Sequence, residues 1–360
     1  MHGDRLDRAR ARLRELGVDV LLLSTGADLP WLTGYEAMPL ERLTMLVLPA
    51  HGDAVLVVPR LEAPRVTGTD HAFSVVAWEE TEDPVAIVAR LVGNGRRAAI
   101  GDRTWARFLL DLQRALPSTA FSHAAEVTGP LRMVKDAAEI AALEAAAAAV
   151  DAIAGELRTR PFAGRREIDV HRELVDRMLA AGHERANFAI VAAGENAASA
   201  HHDPGERVIG PGDVVLCDFG GTMAGYCSDI TRMFVVGEPT TEMRDVYDVL
   251  VAAQEAGVRA GVVGAPCEAV DAAARGVIAE AGFGDRFVHR TGHGIGTEAH
   301  EDPYMVAGNT LPIAAGHAYS VEPGIYLPGR FGFRLEDIVV ATVDGPRRLN
   351  HAPRDLAVVG

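Results

Sequence analysis

Cysteine is scarce and unpatterned: Cys217, Cys227 and Cys267 form no CxxC and are odd in number. Neither a disulfide framework nor a thiolate zinc site is supported, and reduced thiols in a cytoplasmic setting are expected. Long apolar runs are missing as well. The chain starts Met1-His2-Gly3-Asp4-Arg5 and enters a charged helical pattern, and the Ala-rich stretch 140–155 is interrupted by Glu144 and Asp151. Neither a signal peptide nor a membrane span is expected from such segments. Positive charge is outnumbered, with 35 Lys and Arg against 50 Asp and Glu and a formal net charge of −15. That balance repels phosphate backbones and anionic membrane surfaces, so neither nucleic acid nor membrane is an expected partner.

What is present is ordinary globular composition, 48% hydrophobic and 24% charged, far from the regime of unfolded chains. A length of 360 residues exceeds what one small core needs and favours two domains, or one large one. Leu6, Ala9, Leu13 and Leu16 fall at helical spacing, and Gly17 stops that helix before a strand-like run, 18–24. Strand signals recur at 43–48, 54–58, 73–77 and 97–101, with helix-compatible stretches near 61–66, 84–92 and 104–115. This alternation predicts an α/β unit. It holds Trp31, Trp78 and Trp105 but no dense cluster of catalytic groups, which is what a scaffold or dimerisation domain looks like. The Gly129-Pro130 turn signal sets the expected boundary between domain 1–128 and domain 129–360. Beyond it, helices are expected over 135–157, 166–181, 240–260 and 266–281, with Gly182 and Gly282 as caps. Strand patterns fall at 187–192, 213–219, 226–236, 317–322 and 332–342. Helices and hairpins are mixed, so this half reads as α+β.

Two of the expected hairpins each present two acids. The run Gly212–Phe219 ends on Asp218-Phe219, turns through Gly220–Gly225, and returns over Tyr226–Val236. A turn centred between Met223 and Ala224 places Asp218 opposite Asp229, and opposed residues share a face with Cβ atoms about 4.5–5.5 Å apart. In the second hairpin, His317–Pro323 and Arg330–Val340 flank a turn centred on Gly329, which places Glu322 opposite Glu336. Carboxylates that close repel and raise one another's pKa unless a cation sits between them. A fifth group, His293, lies in Thr291-Gly292-His293-Gly294-Ile295-Gly296, where glycines allow backbone and ligand to approach closely. A dinucleotide loop would need a helix after those glycines, and Glu298-Ala299-His300-Glu301-Asp302-Pro303 offers none. Four carboxylates and one imidazole form a hard set suited to Mn²⁺, Co²⁺ or Fe²⁺, with Zn²⁺ as an alternative. Their formal charge balances two divalent ions, and a pair about 3.5–4 Å apart can activate a shared water and polarise a carbonyl. That is equipment for hydrolysing an amide.

Through the strings Asp218-Phe219-Gly220, Ser228-Asp229-Ile230-Thr231-Arg232, Thr291–Gly296, Val321-Glu322-Pro323-Gly324 and Arg334-Leu335-Glu336-Asp337, the sequence resembles the aminopeptidase P/prolidase branch of the pita-bread metallopeptidases. The resemblance implies a creatinase-like α/β N-terminal domain followed by an α+β pita-bread catalytic domain. It implies two divalent metal ions, manganese foremost and cobalt or zinc as alternatives. Asp218 would bind one ion, His293 and Glu322 the other, and Asp229 and Glu336 would bridge them. The substrates it implies are Xaa-Pro dipeptides or short peptides with proline second, cleaved before the proline, and the assembly it implies is a homodimer. Proline suits a dedicated enzyme because its tertiary amide lacks the N–H that general peptidases use.

By position in the family motifs, His201 stabilises the developing oxyanion. His202 is the second candidate, because Ala200 stands where a proline is common. His300 matches the second substrate-contacting imidazole. His289 either lines the pocket or packs structurally, and Arg334 holds carboxylates by charge-assisted hydrogen bonds. Glu322 would shuttle the proton to the proline nitrogen. Phe188, Tyr226, Tyr304 and Tyr326 are candidates for a wall against the proline ring, or for plain packing. The segment 302–312 has no Lys or Arg to grip a free carboxylate where several prolidases supply one, so dipeptidase and longer-peptide aminopeptidase both stay open, with Arg330 as a substitute cation. Creatinase-like hydrolysis of another C–N bond and a non-catalytic peptide-binding role are the alternatives on this fold. Both commonly go with loss of the metal ligands, and here all five are present.

Overall fold

A computed structural model describes residues 2–67 and 72–360 and divides into two compact units, Met1–Arg132 and Met133–Gly360. The first unit runs α1 (His2–Leu16), β1 (Val20–Leu23), α2 (Asp28–Thr33), β2 (Met45–Pro49), β3 (Val55–Pro59), β4 (Ser74–Trp78), α3 (Pro84–Val92), β5 (Arg97–Ile100), α4 (Ala106–Ala115), β6 (Ala120–His123) and α5 (Ala125–Met133). Its strands form one sheet in the order β4-β3-β2-β1-β5-β6. The twofold alternation of side chains divides each central strand between two cores. Leu21, Leu23, Leu46, Leu48, Leu56 and Val58 join Leu6, Leu13, Leu29 and Leu32 of α1 and α2. Val20, Leu22, Met45, Val47 and Val57 meet Ile87, Val88, Phe108 and Leu112 of α3 and α4 on the other face.

Two local expectations change here. The stretch 61–66 forms only a 3₁₀ turn, Ala63–Arg65. Gly129-Pro130 is no turn but lies inside α5. Proline there removes one N–H from the helix ladder, and the Glu126 carbonyl that would have received it accepts from Arg12 Nε at 3.4 Å instead.

The second unit contains α6 (Ala137–Leu157), α7 (Glu167–Ala180), β7 (Arg185–Ala193), β8 (Val214–Met223), β9 (Tyr226–Cys227), β10 (Ile230–Val236), α8 (Thr241–Ala260) and α9 (Glu268–Glu280). It continues through β11 (Gly292–Gly294), β12 (Glu301–Met305), β13 (Ala318–Val321), β14 (Gly324–Leu327), β15 (Phe331–Arg334), β16 (Asp337–Thr342), β17 (Gly345–Arg348) and β18 (Ala357–Val359). One sheet has the order β18-β10-β8-β7, another β12-β11-β13-β16-β17, and β14 pairs with β15. Helix α6 starts on a capping box in which Asp136 and Glu139 satisfy each other's backbone N–H groups. Odd-numbered residues of β8, such as Val215, Cys217 and Phe219, pack with Val150, Leu157, Val170 and Leu174 of α6 and α7. Even-numbered Val214 and Leu216 face Leu250 of α8 and Ile325 and Phe333 of the β14–β15 ribbon. Asp218 continues that even face, inward between the sheets.

The first acid hairpin is shifted from its expected register. Ala224 and Gly225 both have positive φ, 49° and 78°, the requirement of a two-residue hairpin turn that matches strand twist. Asp218 therefore lies opposite Thr231, and Asp229 is its diagonal neighbour. The slip is an even number of residues, so both acids stay on one face. The second hairpin has the expected register. Gly324 pairs with Arg334 and Val321 with Asp337, which leaves Glu322 and Glu336 facing each other where the ladder breaks. A single bridge from Thr231 to Glu336 joins the two hairpins.

Candidate metal centre

His293 sits on β11, whose two glycines let three strands crowd together; a Cβ on Gly292 or Gly294 would collide with the carbonyls of Ser320 or Asp302. Its Nδ1 donates to the Gly294 carbonyl at 3.1 Å, which directs Nε2 toward the acids. That nitrogen lies 3.1 Å from Glu322 Oε1 and 3.7 Å from Asp229 Oδ2. Ser320 holds both partners, its hydroxyl accepting from the His293 N–H and donating to Glu322 Oε1, each at 3.0 Å. Glu336 Oε2 accepts from the Thr231 hydroxyl at 2.8 Å. Asp218 Oδ2 accepts from Arg334 Nη2 at 2.5 Å. Potential ligand atoms of Asp229, His293 and Glu336 lie within 4.8 Å of one another.

The electrostatics of this group call for a cation. Burial, then repulsion from Asp218, pushes the Asp229 carboxyl well above the ordinary range, and burial with repulsion from Asp229 does the same to Glu336. Burial also raises Asp218 against the pull of Arg334. Burial works upward on Glu322 too, but the hydrogen bond and charge of His293 overcome it and hold that carboxyl at about 2. Asp218 Oδ1, Asp229 Oδ1 and Glu336 Oε1 are buried with no hydrogen-bond partner among the described residues. Buried carboxylate oxygens are costly to leave unpaired. Three of them around one imidazole fit a divalent cation of the hard or borderline type.

Above these groups opens a cavity of about 540 Å³. Nine of the side chains singled out from sequence, Asp218, Asp229, His293, Glu322, Glu336, His201, His289, His300 and Arg334, line it. His300 stacks edge-on against His293 with ring centroids 4.1 Å apart, and burial together with His293 pushes it down to about 4. Arg334 reaches the Ala200 carbonyl and the Tyr326 hydroxyl, both at 2.9 Å. Tyr326 in turn donates to His289 Nε2 at 2.9 Å. Burial lowers His289, so its imidazole is neutral and Nε2 can accept.

Phe188 and Ile190 form the apolar wall. Tyr226 does not join it, because its hydroxyl donates to Glu139 at 2.8 Å. Tyr304 lies beneath Arg290, whose guanidinium carbon is 4.3 Å from the ring centroid. Arg330 is not in the cavity; it pairs with Glu242, with both side chains about half exposed.

Residues 138–343 match the sequence model of metallopeptidase family M24, and residues 5–134 match that of the creatinase/prolidase N-terminal domain. The chain belongs to family M24. Over 364 residues it is 42% identical to the Mycobacterium tuberculosis protein named "Probable dipeptidase PepE", covering 100% of this chain and 97% of that one. The Xaa-Pro dipeptidase of Lactobacillus helveticus is 32% identical over 371 residues, with 98% of each chain covered. The crystal structure of dipeptidase PepE from Mycobacterium ulcerans superposes with a TM-score of 0.92 at 42% identity, covering 99% and 98% of the two chains. The two-domain architecture is thus the creatinase-like N-terminal unit and pita-bread catalytic unit of this family. No helix among the described residues is long and apolar enough to cross a membrane.

Several residues that shape this M24 centre were not legible beforehand. Thr231 and Ser320 reach Glu336 and Glu322, and Arg290 lines the cavity. Arg290 stands one position after His289, so proximity to a singled-out histidine was the available signal. Thr231 lies in the string Ser228-Asp229-Ile230-Thr231-Arg232, and its hydroxyl on the same face as Asp229 marks it as a partner for an acid.

Proposed function

We infer that this M24 member hydrolyses Xaa-Pro dipeptides with two divalent metal ions, manganese foremost, as cofactors. The observation that carries this reading is the set of three carboxylate oxygens around His293 that have no partner among the described residues, at the floor of a cavity rimmed by imidazoles and by Arg290, which has no carboxylate partner among those residues. The names of the relatives, dipeptidase and Xaa-Pro dipeptidase, support the substrate class.

Asp218, Asp229, His293, Glu322 and Glu336 would hold the ions. Such ions, when bound, ionise a water near neutral pH and polarise a carbonyl. His201 makes no hydrogen bond among the described residues and is exposed on the rim, whereas His202 Nε2 is engaged by Glu167 at 2.9 Å. His201 is therefore the histidine free to donate to the carbonyl oxygen as negative charge develops. Glu322, held ionised beside His293, would take a proton from the attacking water and deliver it to the proline nitrogen, which cannot leave as an anion. Phe188 and Ile190 offer the ring an apolar wall. Arg290 has no carboxylate partner among the described residues and would receive the dipeptide's free carboxylate, which favours dipeptides over longer substrates.

The test is to strip the protein with a chelator, reload it separately with Mn²⁺, Co²⁺ and Zn²⁺, and assay Ala-Pro, Ala-Pro-Ala-Ala and Ala-Leu. Metal-dependent release of proline from Ala-Pro, with slower tetrapeptide cleavage and none of Ala-Leu, is expected. Absence of metal-dependent turnover of Ala-Pro overturns the reading.

A further inference from the structure

Glu167 opens α7 and has no solvent exposure. Its Oε1 accepts from the Ala193 N–H at 2.8 Å and Asn196 Nδ2 at 3.0 Å. Its Oε2 accepts from His202 Nε2 at 2.9 Å and the Gly205 N–H at 3.3 Å. These donors bracket one segment: Ala193 ends β7, a 3₁₀ turn Gly194–Ala198 follows, and Gly205 lies in the irregular stretch between that turn and β8. A single buried anion thus ties both ends of the segment that carries His201. The residue before His201 is tied from the opposite side, through Arg334 to the Ala200 carbonyl at 2.9 Å. The same guanidinium holds Asp218.

We propose that Glu167, acting through His202, is a positioning residue that fixes His201 over the carbonyl being attacked. This rests on the peptidase reading above. An apolar side chain of similar volume at position 167 would leave the Ala193 and Gly205 N–H groups, Asn196 and His202 without their acceptor. It could not order both ends of an exposed loop. Catalytic donors need placement to within a fraction of an ångström, and misplacement by about 1 Å can cost roughly 100-fold in rate.

The experiment compares His202→Ala with His202→Gln, which keeps an N–H donor within reach of Glu167. For H202A in Mn²⁺-loaded protein, kcat on Ala-Pro is expected to fall about 10- to 100-fold with KM changed less than about threefold, as for loss of a transition-state donor. H202Q should recover most of that loss. In metal-free protein, amide hydrogen exchange of peptides spanning 194–206 should accelerate in H202A and return toward wild type in H202Q, with other segments unchanged. Asn196→Ala, which removes a different donor to the same carboxylate, should show a milder version of both effects and serves if H202A does not fold. A kcat within about twofold of wild type in H202A or N196A, an H202Q as impaired as H202A, or unchanged exchange over 194–206 overturns the proposal. Wild-type protein that is inactive on Ala-Pro but shows the exchange difference sinks the peptidase reading alone. Active wild type with an unaffected H202A sinks the positioning role alone.

Discussion

Glu336 and Asp337 are consecutive acids, 1% and 0% exposed, and they point to opposite faces. Asp337 is fully partnered: Oδ1 accepts from Arg232 at 2.6 Å, and Oδ2 from Gln254 at 3.0 Å and Arg348 at 3.1 Å. Glu336 has one oxygen on Thr231 and the other on no partner among the described residues, with Asp229, Glu322 and Asp218 repelling it. Strand β10 repeats the division, Thr231 serving the acid cluster and Arg232 the paired one. The contrast shows that burial of a carboxylate does not by itself mark a functional site. A deficit of partners of opposite sign does, because the protein alone does not offset the cost of burying those groups.

The sharpest way to break this contrast is Glu336→Gln. Loss of at least one bound ion and a fall in kcat on Ala-Pro of about 1,000-fold or more are expected, since the metal-generated nucleophile goes with it. The metal-free variant should nonetheless be more stable than metal-free wild type, by about 2–4 °C in Tm, because the amide can donate where like charges repelled. Thermal melts with and without Mn²⁺ check both signs: wild type should gain stability on adding metal, and E336Q should gain little. A metal-free E336Q that melts well below wild type would make Glu336 a structural acid like its neighbour.

Asp337→Ala should do the reverse. It leaves the buried Arg232 guanidinium without its carboxylate and is expected to destabilise by about 3–5 kcal/mol in urea titrations of the metal-free protein. Metal bound per folded molecule should stay unchanged, which equilibrium dialysis measures.

The acids of the second hairpin were legible because Gly329, flanked by matching apolar runs, fixes the turn and hence the register of Glu322 and Glu336. The first hairpin was harder to place, since the strand-to-strand stretch has three glycines and the left-handed turn position falls on Ala224, not on an Asn-Gly or Asp-Gly signal. Strand β11 escaped notice as a strand because its residues are Gly292, His293 and Gly294. Glycine has low strand propensity, and only pairing with β12 and β13 makes it one. Contacts from distant stretches, Glu167 to His202 and Thr231 to Glu336, carry no local pattern at all. They arise from the fold, whereas the apolar periodicities that build the fold are written residue by residue.

Arginines divide as the acids do. Arg290 lines the cavity over Tyr304 with no carboxylate partner among the described residues, and Arg330 is paired with Glu242 outside it. Arg290→Met should raise KM for Ala-Pro about 10- to 100-fold, the worth of a charge-assisted hydrogen bond, while altering cleavage of C-terminally amidated Ala-Pro little. An equal loss on both substrates would place the guanidinium elsewhere than on the free carboxylate.

The smallest effect is expected at Arg330. Its pair with Glu242 has side chains 50% and 52% exposed, so water screens the interaction, and such pairs contribute about 0.2–1 kcal/mol at most. Its guanidinium also lies 5.3 Å from the Phe331 ring centroid, a surface contact of similar modest worth. Arg330→Ala should therefore leave KM for Ala-Pro within about twofold and shift the urea midpoint only slightly. If KM instead rises as far as in R290M, the anchoring cation is the one beside the β14–β15 turn, and being unpaired inside the cavity loses its value as the mark of a functional charge.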